Sequence, residues 1–165
     1  MLSVKRCLKY SAVTVAFAAS AFITTQVIAA PSHDYSWFEG QLKSGIQYSI
    51  EDGSATSTYN CLAYALGVTS TWIWPWGSSD ATLSEMTKVL TDQGYNTRSP
   101  GPSYIPPRLV VYGSSNGIGH IAKITNSNPQ TTKSKWGPWE LVDTKSYDPY
   151  RPTPNGYGPA VQYYW

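Results

Sequence analysis

Apolar and polar positions alternate in recognisable periods over the second half of the chain and lose all period over most of the first. Asn60 precedes Cys61-Leu62-Ala63-Tyr64-Ala65-Leu66, a run of helix formers closed by Gly67. That order predicts a short helix with Asn60 as its N-cap and Cys61 in its first turn. A Trp-rich loop, Trp72-Ile73-Trp74-Pro75-Trp76-Gly77, follows. Thr82-Leu83-Ser84-Glu85 then spells a capping box, Leu83, Met86, Val89 and Leu90 form an apolar stripe, and Gly94 ends the second helix. After a Pro-rich loop from Ser99 to Pro107, two strands are expected, Arg108 to Gly113 and His120 to Thr125, joined by a hairpin-type connection. Alternation in the second strand puts His120, Ala122 and Ile124 on one face and Ile121 and Lys123 on the other. Further short strands are read at Ser134 to Gly137, Trp139 to Asp143 and Val161 to Trp165, with a Pro/Gly-rich segment from Asp148 to Pro159. From Ala30 to Thr58 the pattern is irregular, with a weak strand signal at Gly45 to Ile50, so this stretch is expected to wrap the core as a lead-in. Helices followed by an antiparallel meander predict an α+β domain in which a short helix carrying Cys61 packs on the sheet.

The N-terminus has a different character. Lys5, Arg6 and Lys9 precede an apolar run from Ala12 to Ile23, and small residues stand at Val27 and Ala29, the pattern of a secretory signal peptide cleaved after Ala29. This predicts a secreted or periplasmic protein with a single domain over residues 30–165 and its core in 59–143. Without the first 29 residues the twelve basic side chains fall to nine against ten acidic ones, a balance that speaks against a nucleic-acid partner. No later apolar stretch is long enough to cross a bilayer, so no membrane partner is expected after cleavage.

Charge and export change the weight of the cysteine. Cys7 leaves with the signal, and Cys61 then stands alone in an oxidising compartment, where an unpaired thiol calls for a reason. The nucleophilic form is the thiolate, which a helix start and a neighbouring imidazolium both favour. His120 is the only histidine on a predicted core strand; His33, near the mature N-terminus, is expected to be disordered. A Cys first and a His later, brought together by a helix packed across a sheet, is how Cys–His hydrolases are built. Ser134 is the first choice of residue to orient the imidazole, with Glu140 and Asp143 as rivals. The Cys61 N–H, with Asn60 or Tyr59, could hold an oxyanion. Plainer roles are open for each: Cys61 as a small buried hydrophobe, His120 as a structural histidine, Asn60 as a helix cap, Lys135 as a solvated strand residue with its stem on Trp136. The Trp72–Trp76 segment, including Trp74 and Trp76, either packs over the helix or forms an aromatic wall for a ligand. One thiol and two distant histidines make no metal site, and no cofactor motif is present.

Tyr59-Asn60-Cys61-Leu62-Ala63-Tyr64-Ala65-Leu66-Gly67, then Gly119-His120-Ile121-Ala122-Lys123-Ile124 and Ser134-Lys135-Trp136-Gly137, resemble a bacterial domain of unknown function placed among the papain-like cysteine hydrolases. More distantly, the order of elements is similar to that of NlpC-type and CHAP cell-wall amidases and endopeptidases. The resemblance implies a papain-like fold with Cys61 as nucleophile and His120 as general base. The expected activity is hydrolysis of an amide bond in an extracellular peptide or peptidoglycan peptide, without a cofactor. A non-catalytic module offering the Trp-rich loop and Tyr147, Tyr150, Tyr157, Tyr163 and Tyr164 to glycan or peptide is the alternative. The same chemistry in a toxin would bring an immunity protein as a partner.

Overall fold

The computed structural model describes residues 31–99, 101 and 105–165; the signal peptide read at residues 1–29 lies outside them, as does part of the Pro-rich loop. The elements run α1 (Tyr35–Gln41), β1 (Tyr48–Glu51), α2 (Cys61–Ala65), α3 (Leu83–Asp92), β2 (Leu109–Ser114), β3 (Gly117–Ser127), β4 (Gln130–Lys135), β5 (Leu141–Thr144) and β6 (Ala160–Tyr164). All six strands join one antiparallel sheet in the order β1-β5-β4-β3-β2-β6. The α+β class and the helix carrying Cys61 on an antiparallel sheet are both present. No described helix is long and apolar enough to cross a membrane.

Local chemistry accounts for most of these elements. Asn60 caps α2 by accepting from the Ala63 N–H, and Gly67 follows at φ +80, a backbone state that costs glycine nothing. The capping box of α3 closes in both directions between Thr82 and Glu85. The β2–β3 hairpin turns more tightly than expected: Ser114 pairs with Gly117, so only Ser115 and Asn116 form the loop. The lead-in holds an unexpected helix, α1, whose Asp34 N-cap makes no side-chain bond and which the sequence therefore does not announce. His33, expected to be disordered, stacks on Trp37 at 4.1 Å between ring centroids and meets Trp139 edge-on at 4.5 Å. Aromatic contact substitutes for regular structure there.

Each face of the sheet has its own core. On one face α2 and α3 place Cys61, Leu62, Ala65, Met86 and Leu90 against Leu109, Val111, Ile118, Ile121 and Tyr164. On the other, Phe38 and Leu42 from α1 and its end, with Tyr150 from the segment before β6, cover Val110, Tyr112, Ala122, Trp136 and Val142. The predicted alternation along β3 holds, with Ile121 on the first face and Ala122 and Ile124 on the second.

The sheet has one gap that matters. The β3–β4 ladder ends at Lys123↔Lys133, although β4 continues beside β5 to Lys135↔Leu141. Continuing that register would set Ile121 opposite Lys135 and His120 opposite Trp136. Those rungs are absent, and α2 packs against both β3 and β4.

Candidate active site

The Ile124 N–H bonds toward Arg108 on the β2 side, so alternation turns the Ile121 amide toward β4. With no rung there, that amide is left to the Cys61 thiol, where it and the amides of Leu62 and Cys61 favour the thiolate. Cys61 is 5% exposed. Burial pushes its thiol up from 9 to about 11, while the three amides and Lys135 pull the other way and lose. This corrects the expectation that a helix start would depress it: α2 has five residues, and a sulfur taken out of water gains less from its amides than it loses in hydration.

His120 approaches from the other face. Its ring lies flat on Tyr157, with centroids 3.8 Å apart and planes 7° apart, and meets Tyr150 edge-on. Nε2 is 3.2 Å from the Tyr150 hydroxyl, and that hydroxyl is 3.0 Å from Ser134 Oγ. Nδ1 is buried with no hydrogen-bond partner. Burial lowers the imidazole from 6.5 to about 3, so it is neutral at any physiological pH. Tyr150 is raised by its own burial and remains a phenol.

Cys61 and His120, from two faces of the sheet, line one cavity of about 250 Å³ together with Asn60, Trp72, Trp74, Gly77, Gly119, Gly137 and Tyr157. None of these side chains carries a charge at neutral pH. Larger cavities elsewhere contain neither residue.

The other expected site residues fall into place unevenly. Ser134 reaches His120 only through Tyr150, a residue of the Pro/Gly-rich segment whose ring turns to the imidazole and not to solvent. Glu140 is buried and accepts from the Ser32 N–H and hydroxyl, and Asp143 pairs with Lys133 at 3.3 Å; these bonds hold both carboxylates away from the imidazole. Asn60 accepts from Ala63 and Ile73 N–H groups and donates to the Ile73 carbonyl at 2.8 Å, so its amide pins the Trp-rich loop to α2. Tyr59 does not line the cavity and stands instead by Tyr64 and under Lys135. Trp74 lines the cavity and Trp76 packs on it at 5.0 Å. Both also lean on the first core, so the two roles proposed for that loop are compatible. Trp72, beside them on the cavity, is 45% exposed.

Lys135 requires a correction. Far from being solvated, it is 0% exposed, and its ammonium donates to the carbonyls of Thr56 at 2.9 Å, Gly137 at 2.8 Å and Trp139. It also lies 5.2 Å from the Tyr59 ring centroid.

Nothing among the curated proteins and nothing among the solved structures matches the chain. Residues 50–165, which hold α2, the whole sheet from β2 to β6 and every residue of the cavity, match the model of a domain of unknown function (DUF7689), and the chain belongs to that family.

Proposed function

We propose that the protein is a secreted thiol hydrolase that cleaves an amide bond, with Cys61 as nucleophile and His120 as general base, on a papain-like arrangement. One observation carries the reading: a buried thiol and a buried imidazole, distant in sequence, share a cavity in which the imidazole has one nitrogen anchored and the other unpaired. Anchoring through Tyr150 to Ser134 leaves Nδ1 to serve the thiol. With the sulfur at about 11, the thiolate fraction at neutral pH is on the order of one in ten thousand. The proton therefore passes to Nδ1 as sulfur attacks the carbonyl carbon. The C–N bond then breaks as Nδ1–H protonates the leaving amine, giving a thioester. Water, yielding a proton to Nδ1, displaces the sulfur, which takes that proton back. The amides of Ile121, Leu62 and Cys61, which already favour negative charge on the sulfur, are the candidate donors to a developing oxyanion.

An uncharged cavity walled by Trp72, Trp74 and Tyr157 suits a small or apolar group beside the scissile bond. With export, this supports an extracellular peptide or a peptidoglycan peptide as substrate. Cys61→Ala is expected to lower the release of new amino groups from such peptides by several orders of magnitude while leaving the melting temperature within a few degrees. An unchanged rate in a folded variant ends the reading.

The uncharged resting state and the exposed Trp72 also favour a second reading, an aromatic binding module for glycan or peptide on the same scaffold. In that case Cys61→Ala leaves ligand affinity untouched, and Trp72→Ala with Trp74→Ala abolishes it.

A further inference from the structure

Lysine is among the residue types least often buried without a purpose, because dehydrating an ammonium costs several kcal/mol unless hydrogen bonds replace the water. Lys135 is wholly buried, and each of its three N–H donors can be assigned to a carbonyl. Those carbonyls come from two separated segments. Thr56 lies in the stretch leading into α2, and Gly137 and Trp139 lie in the β4–β5 turn, where Gly137 also lines the Cys61 cavity. An amine without its charge would point a lone pair at one of three acceptors, so the cage favours the ammonium. Lys135 also ends β4 at the place where the β3–β4 ladder has stopped, on the side of the strand that carries Ile121, whose amide favours the Cys61 thiolate. A buried ammonium and a sulfur that must become negative therefore interact where the ladder has stopped.

We propose that Lys135 is the positioning residue of the site: it staples the α2 lead-in to the β4–β5 turn and supplies the buried positive charge that stabilises the Cys61 thiolate. This deepens the hydrolase reading and rests on it for its purpose, but the electrostatic coupling stands apart from any substrate. The titratable groups around the pair are few. Glu140 faces Lys135 from the β4–β5 turn, Tyr59 from the segment before α2, and Cys61 from α2. Tyr150 and Tyr157 couple to the sulfur from the segment before β6, and His120 shares its cavity from β3. Burial moves the tyrosines upward and His120 to about 3, outside a neutral to mildly alkaline window. Lys135 itself is drawn by burial to about 8, against the opposing pull of Glu140 and Cys61, and falls inside it.

The test is the rate of Cys61 alkylation by iodoacetamide from pH 6 to pH 10, in the full chain and in Lys135→Met, with folding followed by circular dichroism. A reacting thiolate that depends on the ammonium gains tenfold per pH unit only while Lys135 keeps its proton. The profile is therefore expected to flatten near pH 8. In Lys135→Met the rate at pH 7 is expected to fall at least about tenfold and to climb without that bend. A folded Lys135→Met that alkylates at the parental rate overturns the proposal. Should Lys135→Met not fold, the parental profile decides alone: a bend near pH 8 supports the coupling, and an unbroken tenfold rise per unit through pH 10 overturns it. A bend in a protein that hydrolyses no peptide sinks only the hydrolase reading.

Discussion

His120 gives one ring nitrogen to Tyr150 and leaves the other without a partner. For Nδ1 to take a proton, Nε2 must carry the ring hydrogen; the Tyr150 oxygen then accepts it and the phenol donates onward to Ser134. Tyr150→Phe removes the acceptor that selects this tautomer. Its kcat is expected to fall about a hundredfold with KM little changed, as measured by steady-state kinetics, while Cys61 alkylation stays near the parental rate. Burial of His120 has a separate consequence for stability. In the unfolded chain the imidazole takes up a proton below its ordinary 6.5, whereas in the folded chain it resists until about 3. Stability is thus lost as pH falls through that interval, by about 1.4 kcal/mol per unit from this group. Urea titrations from pH 7 to pH 4 should show a steeper decline in the parent than in His120→Gln by roughly that slope. At this scale the sequence exposes some roles and hides others. Cys61 stands out by its capped helix and His120 as the histidine of an apolar strand, although that strand begins at Gly117 and not at His120 as its Gly-His pair suggested. Tyr150 sits in a Pro/Gly-rich stretch without period, and nothing local to Lys135 separates it from a surface lysine, since its three carbonyl partners are supplied by the tertiary fold.

At the level of elements, His120 is placed by irregularities in β2. Tyr112, its cross-strand neighbour, is flanked by register shifts against both β3 and β6. Gly113, next in line, has φ +136, and a Cβ there would come within 2.1 Å of the Gly117 carbonyl oxygen. Gly158 packs against the same spot, with its Cβ position 3.1 Å from Gly113 Cα, which sets the neighbouring Tyr157 ring over His120. Gly113→Ala is expected to cost at least about 2 kcal/mol in thermal unfolding and to slow turnover even where the protein folds. β2, β6 and both helices with caps were legible, because capping boxes, glycine stops and alternation are written locally; β4 was misplaced, since it begins at Gln130 in a polar run and ends at Lys135, where the sequence suggested a strand from Ser134 to Gly137. The extra helix α1 was not: Tyr35–Gln41 has neither a bonded cap nor a long apolar stripe, and its one fully buried side chain, Phe38, acquires meaning only against Trp136.

Over the whole molecule, the family match starts at residue 50, yet the second core extends beyond it. Phe38 and Leu42 are buried against Val110, Tyr112, Trp136 and Val142, so the lead-in completes the face that carries His120. Phe38→Ala is expected to lower stability by about 3–5 kcal/mol, measurable by urea unfolding, despite lying outside the matched segment. Class and chain order of the elements could be read in advance from helices followed by a meander. Strand order could not: β1 pairs at the far edge with β5, a contact between residues 48–51 and 141–144 that no local pattern encodes.

The absent rung between Ile121 and Lys135 leaves the Ile121 amide to the Cys61 sulfur, the atom proposed as nucleophile. Attaching an acyl group to it weakens the acceptor that Ile121 relies on, so each catalytic cycle would unlatch one backbone contact and fasten it again on release. On the proposed hydrolase reading, turnover would therefore be felt at the seam between these two strands, and a stiffer seam would slow it without touching any of the reacting groups.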